Sequence, residues 1–196
     1  QADSQTKSTG IRPNILLIMA EDMSARVGAF GDPVAVTPNI DRLASKGILY
    51  PNTFTTAGVC SPSRAAHILS RHQISVGAQH MRTSFFEESP YRTVPPNHFK
   101  AYPELLRREG YYTFTSWKLD YQFSGVTEDS GPFSIWDYEG DQPSWSGREE
   151  GQPFFGFISL MSSHEGQMFP ATVAENNATG TRSHSVTPDQ VTVPPY

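Results

Sequence analysis

Cys60-Ser61-Pro62-Ser63-Arg64 brings together a thiol, two hydroxyls, a proline and a guanidinium in five residues, and Cys60 is the only cysteine in the chain. Ser followed by Pro is the composition of a helix start. Ser61 is expected as the cap and Pro62 in the first turn, which sets Cys60 at the mouth of a helix amino terminus. Unpaired N–H groups and the positive end of the dipole there favour an anion, and Arg64 adds a forked cation one turn on. A lone cysteine is more often a small buried hydrophobe, so the thiol must be weighed with what else the chain supplies. Four further places carry chemistry. Glu21-Asp22 directly follow an apolar run, at the strand end where open α/β sheets bind ligands, although adjacent acids there are as often solvated loop charges. Lys118 follows a β-prone run, with Asp120 two residues on, and His164 follows a second buried run. His80 and Arg82 lie close behind the cysteine segment, where they could equally be ordinary surface polar residues.

The cysteine segment resembles the Cys-x-Pro-Ser-Arg signature of type I sulfatases, in which the cysteine is oxidised after translation to the aldehyde formylglycine. Thr37-Pro38-Asn39-Ile40-Asp41-Arg42-Leu43-Ala44 is similar to the family's pattern upstream, and Gly77–Arg82 looks like a segment of some bacterial glycan sulfatases. The resemblance implies that Glu21, Asp22 and the modified Cys60 hold calcium, or magnesium, where the family usually has Asp-Asp. It further implies that Arg64, Lys118 and His164 act on the sulfate, with His164 protonating the leaving oxygen. His80, Arg82 and Asp120 would contact substrate; Asp120 stands where the family's Gly-Lys-x-His has histidine, in the run Trp117-Lys118-Leu119-Asp120. One hydroxyl of the aldehyde hydrate would attack sulfur and the second would later expel sulfate, splitting one hard step into two. The implied partners are a sulfated sugar or polysaccharide, a formylglycine-generating enzyme during maturation, and the carboxyl-terminal remainder of the same enzyme as a separate or missing segment. Polymeric sulfated glycans lie outside cells, so a secreted or periplasmic location is expected. Two alternatives stay open: a phosphonate monoester or phosphodiester hydrolase of the same superfamily, and a catalytically inactive glycan-binding homologue.

Several elements must position these groups. Asn14–Ala20 is a continuous aliphatic run, expected as a central parallel strand buried on both faces. Thr37-Pro38 opens a helix carrying Ile40, Leu43 and Ala44, with Gly47 as its stop, and Ile48–Phe54 alternates loosely as a second strand leading to Cys60. A helix from Pro62 through Leu69 follows, then a Pro-rich loop over 85–97, a short helix over Pro103–Glu109, a strand over Tyr111–Trp117 and another over Pro153–Met161. Residues 123–151 show no period; their aromatics, among them Phe133, Trp136, Tyr138 and Trp145, would pack a loop on the core or stack on sugars. Asn177-Ala178-Thr179 is a glycosylation sequon. The 196 residues suffice for a core, and 15 glycines with 16 prolines point to many loops. A net charge of −5 provides no field for nucleic acid, and no run approaches the roughly 18 apolar residues of a membrane span. The expected fold is α/β: a sandwich with a largely parallel central sheet flanked by helices, resembling the alkaline phosphatase and sulfatase type. Residues 1–10 are expected as a flexible segment, 11–196 as the amino-terminal portion of the catalytic domain, and Val191–Tyr196 as extended chain.

Overall fold

A computed structural model describes residues 12–83, 87–88, 90–124, 134–180 and 188–191. The segments expected to be flexible (1–10) and, beyond Val191, extended (192–196) lie outside them, as does Phe133. The chain divides into two compact units, Gln1–Met19 with Thr55–Ser159, and Ala20–Phe54 with Leu160–Tyr196.

In the first unit a four-stranded sheet has the order β1-β4-β2-β3, where β1 is Ile15–Ala20, β2 Tyr112–Ser116, β3 Tyr138–Gly140 and β4 Phe154–Leu160. β2 pairs in parallel with β4, Phe114 opposite Gly156, and with β3, Phe114 opposite Tyr138. The middle strands alone are buried nearly throughout. Thr113 and Thr115, fully buried on β2, satisfy their hydroxyls locally: Thr115 Oγ1 donates to the Phe157 carbonyl at 3.1 Å, and Thr113 Oγ1 to Asp137 Oδ2 at 3.1 Å. Helix α2 (Cys60–Leu69) buries Ala65, Ile68 and Leu69 in a core with Phe155, Phe157 and Trp136. Helix α3 (Tyr102–Arg108) starts where the Glu104 carboxylate accepts the Ala101 N–H at 2.9 Å.

Gly156 lies at the middle of this packing. A Cβ there would collide with the Phe114 ring and come within 3.0 Å of Leu16 Cδ1. Gly156→Ala is therefore expected to destabilise the chain by about 1–3 kcal/mol, as overpacking does, read as a lower denaturant midpoint at unchanged slope.

In the second unit helix α1 (Pro38–Ala44) follows Thr37, whose hydroxyl donates to Asp41 Oδ1 at 2.9 Å and accepts the Gly28 N–H at 2.9 Å. Helix α4 (Pro170–Thr179) ends on Gly180 at φ 64°. No helix among the described residues is long and apolar enough to cross a membrane.

Four expectations are corrected. β1 is an edge strand rather than a central one, and Ile15, Leu16 and Ile18 are 38–55% exposed, because only β4 flanks it. Ile48–Phe54 forms no strand; Ile48, Tyr50 and Phe54 project into solvent, and no strand among the described residues pairs with the segment. α2 begins at Cys60, with Val59 as its cap and no side-chain cap bond, so Ser61 and Pro62 already lie inside the helix. Within 123–151, where the sequence shows no period, Tyr138–Gly140 pairs as β3, whereas Trp136, 2% exposed and stacked on Phe155, packs on the core as the first of the two readings has it.

Candidate active site

In the first unit, the turn after β2 faces the start of α2. β2 carries the chain to Ser116, and Lys118, Leu119 and Asp120 follow at its carboxyl end, all buried. Parallel strands bring ligand-binding loops to this end of a sheet. Lys118 Nζ stands 3.5 Å from Cys60 Sγ, which occupies the first residue of α2. Asp120 adopts φ 47°, a left-handed conformation that aspartate tolerates better than most side chains. That twist turns its carboxylate onto two cations. Oδ2 lies 3.9 Å from Lys118 Nζ, and Oδ1 accepts a charge-assisted bond from Arg82 Nη1. Arg82 also reaches Ser61 Oγ at 3.3 Å. Burial lowers the Arg82 guanidinium below its ordinary range, and the Arg92 charge adds to this. The structure thus collects Cys60, Lys118, Asp120 and Arg82, residues up to 60 positions apart, into one polar cluster in which the three charged side chains are buried and Cys60 is half-buried. Burial strengthens the electrostatic contacts among those three.

Arg64 serves the cluster from behind. Its Nε donates to the Leu119 carbonyl at 2.7 Å, Nη2 to the Lys118 carbonyl, and Nη1 to Ser159 Oγ at 3.1 Å. Its guanidinium carbon lies 5.2 Å from the centre of the Phe157 ring and 5.8 Å from that of Tyr121. These bonds tie Arg64 to the backbone that carries Lys118 and to β4. Ser159 on β4 was not singled out by the sequence, and nothing in its local pattern marks it. His80 is exposed, with its Nδ1 2.6 Å from the Met81 carbonyl and its ring 5.0 Å from that of Tyr91.

The second unit holds the remaining candidates. Glu21 is 4% exposed; its N–H donates to the Leu160 carbonyl at 3.0 Å, and its carbonyl accepts the Ser163 hydroxyl at 2.6 Å. Asp22 sits at φ 55°, and its Oδ2 accepts the Glu165 N–H at 2.9 Å and lies 3.9 Å from His164 Nε2. The Gly166 N–H donates to His164 Nδ1 at 3.0 Å, so in the neutral ring the proton resides on Nε2, the nitrogen that faces Asp22. A buried carboxylate is costly unless it is hydrogen-bonded, paired or coordinated. Glu21, adjacent to an Asp22 whose orientation the Glu165 N–H fixes, is a donor set suited to a hard divalent cation.

Residues 13–139 match the family model described as Sulfatase. Among curated proteins, the ulvan-active sulfatase of Formosa agariphila is 40% identical over 162 residues, covering 81% of this chain and 26% of that protein. Human iduronate 2-sulfatase is 30% identical over 144 residues, covering 73% of this chain and 25% of the relative. The chain therefore spans about a quarter of the length of these relatives. Among solved structures, BT4656 in complex with its substrate D-glucosamine-2-N,6-O-disulfate superposes with a TM-score of 0.60 at 18% identity, over 89% of this chain and 39% of that one.

Proposed function

The chain belongs to the sulfatase family, and from that premise we propose that it supplies the front part of the catalytic domain of an enzyme hydrolysing sulfate esters on a sulfated sugar or polysaccharide. The observation that carries the reading is Lys118 Nζ at 3.5 Å from Cys60 Sγ, at the amino end of α2. A buried ammonium beside the side chain of residue 60 is what a transferring sulfuryl group needs, since charge grows on its oxygens in the transition state. The ulvan and iduronate sulfate substrates of the two curated relatives support a sulfated glycan as the substrate class.

The roles we assign draw on the geometry within each unit together with the family's chemistry. Cys60, converted to formylglycine, provides the nucleophile, and Lys118 with Arg82 binds the sulfate oxygens. Arg64 positions Lys118 through the carbonyls of 118 and 119. Glu21 and Asp22 would hold a divalent cation, calcium or magnesium, which when bound lowers the nucleophile's pKa and offsets sulfate charge. His164, in its imidazolium form, would protonate the departing sugar oxygen and be left neutral. A secreted or periplasmic location fits a polymeric substrate, and the remainder of the catalytic domain supplies further ligands.

The test is mass spectrometry of the tryptic peptide containing Cys60, from protein made in its native host. Replacement of CH2SH by CHO removes about 18 Da, and that loss is the expected result. An intact thiol, from a host with the maturation machinery, overturns the aldehyde mechanism. Release of phosphate but not sulfate from matched esters would replace the substrate class.

A further inference from the structure

Two cations and one carboxylate are packed around residue 60. Lys118, Asp120 and Arg82 are 2%, 4% and 8% exposed, and Ser61 is fully buried beside them. Asp120 spans both cations, one oxygen on Arg82 and the other 3.9 Å from Lys118, and it does so from a backbone conformation unusual for a residue other than glycine. A carboxylate bridging two buried cations occupies the contacts that a tetrahedral dianion would make with them. Arg82 and Lys118 bring two positive charges against the single negative charge of Asp120. An incoming anion is still attracted, yet it must displace Asp120 from at least one cation to be held fully.

We propose that Asp120 is an internal counter-anion: it holds Arg82 and Lys118 when no ester is bound and competes with product sulfate for them, so that sulfate leaves. This rests on the reading that the site cleaves sulfate esters. Asp120 is then a positioning residue rather than a direct substrate contact, and its loss would strengthen product binding while slowing release.

The experiment titrates inorganic sulfate into the 196-residue chain at constant ionic strength, followed by calorimetry and by melting temperature. Wild type is compared with Asp120→Asn, which keeps the shape and removes the charge, and with the double variant Asp120→Asn/Arg82→Gln. Asp120→Asn is expected to bind sulfate at least about tenfold more tightly than wild type, and the double variant to lose that gain. A folded Asp120→Asn, with unchanged circular dichroism, that binds sulfate no better than wild type overturns the proposal. If Asp120→Asn is unfolded without anion, refolding by millimolar sulfate supports the proposal and failure to refold overturns it. Equal gains for sulfate and chloride overturn it too, because they mean only a change in net charge. A gain for phosphate without one for sulfate keeps the counter-anion role and overturns the sulfate-ester reading.

Discussion

Arg64→Ala is expected to destabilise the chain by about 3–5 kcal/mol, the range for removing one partner from a buried charged network. The guanidinium is 3% exposed, and its loss leaves the carbonyls of Lys118 and Leu119 buried without the donors that now satisfy them. Each such orphan costs about 1–3 kcal/mol. The packing lost against Phe157 and Tyr121 adds to this. Burial pushes the Tyr121 phenol up to about 12, so the ring that Arg64 meets is neutral. Arg64→Lys should recover little, because one ammonium cannot reach two carbonyls and Ser159 Oγ in the fork geometry of a guanidinium. The measurement is urea unfolding followed by circular dichroism. A midpoint for Arg64→Ala within error of wild type would show that these bonds do not hold the 118–120 turn.

The cysteine signature was legible as sequence, but the use of its arginine was not. Five adjacent residues named the chemistry, whereas the acceptors of Arg64 lie 54, 55 and 95 positions away and become neighbours only when β2, β4 and α2 pack. The Arg82–Asp120 pair, 38 positions apart, is hidden for the same reason. The middle strands and the helices after Thr37, Val59 and Ala101 could be read because aliphatic runs and Pro at a helix start are local signals. Ile48–Phe54 failed because alternation specifies a strand only where a partner strand exists, and β1 failed because an aliphatic run does not say whether it will be flanked on one side or two. α4 had no signal beyond Pro170 and Gly180: it buries no residue fully, and the sequon at Asn177 lies on its exposed last turn. The left-handed turns at Asp22 and Asp120 are also local, yet aspartate at positive φ leaves no pattern in sequence. Both fall just after a strand, where an unusual turn aims a carboxylate at a point the strand itself cannot reach.

His164→Gln is expected to lower kcat on a sugar sulfate by about 10²- to 10⁴-fold, the usual worth of a general acid, in the enzyme assembled from this chain and the remainder of its catalytic domain. A sugar alkoxide is a poor leaving group and needs a proton as the ester bond breaks; 4-nitrophenolate does not. The same variant should therefore lose far less on 4-nitrophenyl sulfate. The structure gives the physical basis. The Gly166 N–H lies on Nδ1, and the Asp22 carboxylate, itself held by the Glu165 N–H, lies 3.9 Å from Nε2; the proton donor is the imidazolium form, which gives up one proton and is left neutral. The ring is thus oriented from two directions before any substrate arrives, and an acid that is already aimed needs no reorganisation in the transition state. Equal losses on the two substrates would overturn the proton-donor role and leave His164 as a residue that only holds the sulfate. A loss confined to the sugar sulfate, with KM unchanged, would place His164 at the leaving oxygen, because only a proton given in the transition state separates the two leaving groups.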